Sequence, residues 1–279
     1  MGTDRKSLGI LTLLALLAVL AAAQSSAAEP ARAEIDQAVA ALSRYEEGQF
    51  VTPLRAVEKL VRDTYGKPEL RGYLEAQLAA RLPSDATPAA KQSICRMLWI
   101  IGTDISVPAL AALLAADDIH LVEMGCYALL PNRSPAASAA VREALPKAQG
   151  KKRIPIVKLL GQRRDGQAVD AITRLAADAD EAVAAAALEA LGAIGDLRAA
   201  QALAKARTSD NARLRLAAQH ASLQCARHLA EAGTSPEAAG IYRALLAENV
   251  PAVIRRAAEL GLAAARGTRQ PTTTKPSQR

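Results

Sequence analysis

Three histidines and three cysteines are the residues of this chain best suited to hold a metal or act as nucleophiles. His220 and His228 stand eight positions apart, about two helical turns, so one helix face can carry both. Cys225, five positions beyond His220, is poorly aligned with that face, and a metal site needs three or four ligands within bonding reach. The spacing therefore predicts histidines on a partly buried helix, with no metal and no cofactor. His120 stands alone. Cys95, Cys126 and Cys225 are an odd set, so at most one pair can close within the chain. Cys95 and Cys126 are one candidate pair; three buried free thiols, acting as small hydrophobes, are the other reading. Ser, His and Asp occur, but there is no Gly-x-Ser-x-Gly turn, no Gly-rich phosphate loop and no Cys-x-x-Cys. The residues point away from an enzyme.

A basic run offers a different chemistry. Lys147, Lys151, Lys152, Arg153, Lys158, Arg163 and Arg164 precede the next acid, Asp165. Lys151 and Lys152 fall near a helix start, where the helix dipole disfavours cations. The run reads either as a solvated edge or as a dock for an acidic partner or polysaccharide. No aromatic residue interleaves with these cations, which removes the stacking half of a single-strand site, and no nucleic-acid partner is expected.

The elements that must position these residues follow from composition and period. Apolar residues make up 51% of the chain but aromatics only 3%, so alanine and leucine supply the apolar surface and favour closely packed helices over sheets. The start, Asp4-Arg5-Lys6 followed by apolar Leu8 to Ala23 and small residues, has the layout of a cleaved export signal, with cuts after Ala23 or Ala28 both fitting. Cleaved, the mature chain would be periplasmic or secreted, with no membrane contact beyond the signal; uncleaved, the same segment would be an N-terminal anchor with the domain outside the membrane. The net charge of +7 includes three cations in the acid-free tail, Arg269, Lys275 and Arg279, so the body carries an ordinary charge.

Helix-ending dipeptides recur at Ile101-Gly102, Leu130-Pro131, Leu160-Gly161 and Leu191-Gly192, spaced 29, 30 and 31 residues. Each reads as a helix stop, followed by a second, shorter helix whose start is marked by Ser134, Asp165 or Asp196. A helix pair cannot bury both of its apolar faces alone, so such pairs must stack. The predicted units are 91–118, 119–149, 150–180, 181–209 and 210–248, with a capping helix at 251–266. The fifth unit has a longer first helix, from Asn211 to about Glu231. Three further helices are expected in 31–82, with apolar stripes at Ile35, Val39, Leu42; Leu54, Val57, Val61; and Leu70, Leu74, Leu78. The expected organisation is thus a signal peptide at 1–28, a helical segment at 29–90, the repeat stack at 91–266 and a disordered basic tail at 267–279.

The stretch from Asp180 to Lys205, with Val183, Ala187, Leu191-Gly192, Ile194-Gly195-Asp196 and Ala199, resembles bacterial HEAT repeats of the phycobilisome-lyase-like kind. Residues 91–209 follow that pattern and 210–266 do so loosely; 31–266 as a whole looks like exported bacterial HEAT-repeat proteins. The resemblance implies an all-α fold, an α-α superhelix of HEAT type behind a signal peptide, and a non-enzymatic scaffold for protein–protein interaction. Enzymatic relatives are tested on residues. Di-iron HEAT hydroxylases use His-Glu pairs, whereas these histidines are followed by Leu121, Ala221 and Leu229. HEAT-like DNA glycosylases act on DNA inside the cell, and bilin lyases share a repeat pattern that carries no diagnostic catalytic set here. An enzyme or chromophore-attachment factor remains the alternative, as does a polyanion- or surface-binding protein using 147–164. If the second helices line the concave side, the expected protein-binding ladder is Asp170 level with Gln201 and Arg174 level with Lys205.

Overall fold

The computed structural model describes residues 31–267, so both export cuts and most of the tail lie outside the described residues. Every regular element among them is helical. No described helix is long and apolar enough to cross a membrane. The residues divide into two compact units between Ala112 and Leu113.

The first unit holds α1 (31–42), α2 (Thr52–Asp63), α3 (Pro68–Ala79), α4 (Pro88–Ile101) and the start of α5 (Val107–Leu114). Proline in the first turn opens α2, α3 and α4, where its missing N–H costs nothing. Seven of the nine predicted stripe residues are buried, Ile35, Val39, Leu42, Val57, Val61, Leu74 and Leu78, with Leu54 and Leu70 half-buried, so all three upstream helices form and face one core. One polar feature is built into that core. Glu75 is 1% exposed and accepts from Thr103 N (2.6 Å), Thr103 Oγ1 (2.9 Å) and Ser106 N (3.0 Å). A carboxylate from α3 thus serves the free N–H groups of the turn that follows α4.

The second unit holds α6 (Ile119–Leu129) with α7 (Pro135–Ala144), α8 (Arg153–Gln162) with α9 (Val169–Leu175), α10 (Glu181–Ile194) with α11 (Leu197–Ala206), α12 (Ala212–Glu231) with α13 (Ser235–Ala247), and a final α14 (Ala252–Gly267). Each pair falls inside its predicted repeat, and α12 has its predicted extra length. The first helices form a row in which α6 packs on α8, α8 on α10, α10 on α12 and α12 on α14. Second helices buttress that row, α9 against α10 and α11 against α12. Leu160 and Leu191 are fully buried, as a stack requires. Side-chain caps are where the sequence put them: Ser134 accepts from Ala137 N, Asp165 from Gln167 N and Asp196 from Ala199 N.

Two of the four dipeptides are not stops. Gly102 does cap α4, and α6 does end at Leu129 before Leu130-Pro131, but Gly161 and Gly192 lie inside α8 and α10. Those helices end at Gln162 and Ile194, just before Arg164 (φ +52°) and Gly195 (φ +68°) take the left-handed conformation. Gly161 and Gly192 have a tertiary role instead. A Cβ on Gly161 would meet Ala190 Cα at 2.8 Å, and one on Gly192 would meet the Ala221 carbonyl at 2.7 Å and its Cα at 2.8 Å. Successive first helices touch backbone to backbone at these points, which only glycine against alanine permits.

Candidate functional site

That close approach, repeated 31 residues apart, shapes the surface above it. Around the contacts the first helices carry mostly alanines, Ala182, Ala185, Ala186, Ala217 and Ala221, with Ile154 the one branched apolar side chain in the lining. The result is a cleft of about 710 Å³ across α8, α10 and α12. A second, of about 720 Å³, continues from it between α12, α13 and α14, and both are lined by His220 and Gln224. Together they make one groove along the first-helix row.

The polar residues of this groove follow the same 31-residue register. Lys158, Glu189 and His220 occupy equivalent positions on α8, α10 and α12, all exposed and all lining the cleft. Adjacent packed helices lie roughly 8–10 Å apart, so the three form a ladder with that rung spacing over an alanine floor. Among the described residues Lys158 and Glu189 have no hydrogen-bond or ion-pair partner, and their charges face solvent. Arg227, Glu231 and the exposed Leu260 continue the lining into the second cleft. The surface can hold a chain segment by apolar contact along the floor and by charge at fixed intervals.

The predicted ladder lies elsewhere. Asp170 and Arg174 on α9 and Gln201 and Lys205 on α11 are all exposed, above buried Ile172 and Leu203. Asp170 lies 3.9 Å from Arg198, and Arg174 borders a cavity. The four sit on the second-helix row, away from the groove. The signal that would have found the groove was present: superposing the repeats on their 31-residue register aligns Lys158, Glu189 and His220 in one step.

The basic run does not act as a unit. Arg163 is buried, its guanidinium donating to Leu129 O (2.7 Å), to Asn132 O and to Ser138 Oγ (2.7 Å), so it ties α8 to the turn after α6. Arg153 pairs with Asp178 at 2.7 Å and Lys152 with Asp117 at 3.2 Å. Arg164 is exposed and 3.9 Å from Glu231. Lys147, Lys151 and Lys158 are the remaining exposed cations, and Lys158 belongs to the groove. Of the seven, Lys147, Lys151, Lys158 and Arg164 are exposed, while Arg163 is committed within the stack.

His220 and His228 part company. His220 lies open in the groove, whereas His228 is 8% exposed, with both ring nitrogens buried and lacking hydrogen-bond partners. Burial, aided by the Arg164 cation, holds its imidazole below the usual value of 6.5. The described residues contain no cluster of His, Cys, Asp and Glu able to hold a metal. Cys95, Cys126 and Cys225 are free and buried, and burial pushes each thiol up to about 12, out of the range of reactive cysteines.

The groove-forming helices also carry the family signal. Residues 138–223 match the family model of HEAT repeats. That span runs from α7 into α12, and so contains Gly161, Gly192 and all three rungs of the ladder. No curated protein matches the chain. Among solved structures, the complex of CpcE and CpcF of phycocyanin lyase from Nostoc sp. PCC7120 is similar over 79% of this chain and 97% of that one, at 17% identity and a TM-score of 0.39. An engineered protein is similar over 84% of this chain and 96% of its own, at 17% identity and a TM-score of 0.31. The match supports a helical repeat architecture for this part of the second unit, and the groove runs along its first helices.

Proposed function

We propose that this chain is an exported, non-enzymatic HEAT-repeat scaffold that holds a segment of a protein partner along its first-helix groove. The observation that carries this reading is the ladder of Lys158, Glu189 and His220 over an alanine floor. Charged side chains without partners at Lys158 and Glu189, with an exposed histidine at the same position of the next repeat, fit recognition of an elongated ligand better than they fit stability, to which exposed charges add little. HEAT-type stacks generally offer such extended surfaces to other proteins.

The test is site-specific photo-crosslinking in the native envelope, with the crosslinker placed in turn at Glu189, His220 and Lys205. The expected result is one partner protein crosslinked from Glu189 and His220 and not from Lys205. Crosslinks from Lys205 alone would move the docking surface to the second helices. None from any site would remove the scaffold reading.

A further inference from the structure

The second helices are unevenly packed. α9 rests on α11, whereas α7 and α9 stand apart, separated by the Pro146 turn and the short 3-10 segment Gly150–Lys152. The space between them is a cavity of about 340 Å³, at the lower end of the ~300–1,000 Å³ usual for small-molecule clefts. Its apolar lining comes from Leu145, Leu160 and Leu175, and its polar lining includes Arg142, Arg153 and Arg174. Two salt bridges border the cavity: Arg142 of α7 to Asp165 just before α9 at 2.6 Å, and Arg153 at the start of α8 to Asp178 just after α9 at 2.7 Å. Those carboxylates fix two guanidiniums in place and balance their charge. Arg174, exposed in the last turn of α9, has no ion-pair or hydrogen-bond partner among the described residues and leaves the cavity one positive charge in excess.

We infer that this cavity binds a small amphipathic carboxylate, with the apolar body against Leu145, Leu160 and Leu175 and the carboxylate on Arg174. The chemistry is complementary at both ends. Guanidinium presents a planar fork that matches a carboxylate, and the leucines remove the hydrocarbon from water. Arg142 and Arg153, held by their aspartates, keep further N–H donors for the same anion. The volume suits a medium-chain acid rather than a large pigment or a folded peptide. This site is independent of the groove on the first-helix row.

The probe is decanoate below its micellar concentration, titrated into the full chain by calorimetry, with decanol as the uncharged match. Saturable one-site binding of decanoate is expected, at least about tenfold tighter than decanol, because the charge-assisted bonds are lost with the alcohol. Arg174→Glu should abolish decanoate binding and Arg174→Lys should restore part of it, with unchanged helicity in both, since the side chain is exposed. Ala171→Phe, which fills the cavity from α9, should also block binding. The inference is overturned if decanoate does not saturate, if decanol binds equally well, or if Arg174→Glu binds as the parent does. None of these outcomes bears on crosslinking at Glu189 or His220.

Discussion

Gly192→Ala should destabilise the stack although alanine is the better helix former. Position 192 is in the interior of α10, so local propensity alone predicts a gain of about 0.8–1.0 kcal/mol. Against it stands a Cβ at 2.7 Å from Ala221 O, 2.8 Å from Ala221 Cα and 3.0 Å from Ala221 Cβ. Two of these three atoms are backbone, so no rotamer change relieves the contact. Restoring ordinary carbon spacing requires α10 and α12 to part by about 1 Å, and overpacking of this kind costs about 1–3 kcal/mol. Parting also loosens the largest interface of the row, so the net expectation is a loss of about 1–2 kcal/mol, or a fall in Tm of roughly 2–4 °C per kcal/mol. Gly240→Ala is the control, because that glycine lies in α13 with no heavy atom within 4 Å of a new Cβ. It should gain what propensity allows. Paired denaturant and thermal melts followed by far-UV circular dichroism measure both. The reasoning is refuted if Gly192→Ala melts at or above the parent while Gly240→Ala shows its gain.

Three other perturbations follow from the same contacts. Arg163→Met should cost about 2–4 kcal/mol in denaturant melts, because it strands acceptors at Leu129, Asn132 and Ser138, whereas Lys158→Ala should stay within about 0.5 kcal/mol. Glu75→Gln should cost about 1–3 kcal/mol in the first unit, since an amide offers one acceptor where the carboxylate uses both oxygens; protection of the Thr103 and Ser106 amides in hydrogen exchange reads this directly. His228 is held below 6.5 in the folded chain, so the unfolded chain binds its proton first as pH falls. The stability due to the neutral imidazole is therefore complete above about 6.5 and is lost as pH drops through the lower folded value; His228→Leu should flatten stability against pH in that window.

The sequence made the helix pairs legible because their signals are local. Asp196, Ser134 and Asn211 announce helix starts by side-chain type, and the stripes of α1 to α3 announce buried faces by spacing. Gly161 and Gly192 misled for the same reason: a glycine after leucine looks like a stop, and only the neighbouring helix shows that it is a contact. Arg163 and Arg153 looked like a basic surface because their partners lie 25 to 34 residues away, on other helices. Glu75 gave no sign at all, since the turn it serves begins 28 residues later. The groove was half-visible. Its rungs have a strict 31-residue register, but the choice between first and second helices depended on which row comes closer, and that is decided by glycine–alanine contacts between repeats.

The most direct measurement is the affinity of the crosslinked partner for two charge-reversed chains, Lys158→Glu with Glu189→Lys, and Arg174→Glu with Lys205→Glu, each with parental helicity. Recognition along the first-helix row predicts that the first pair weakens binding about tenfold or more while the second leaves it unchanged. Full affinity in the first pair, with loss in the second, would contradict the account.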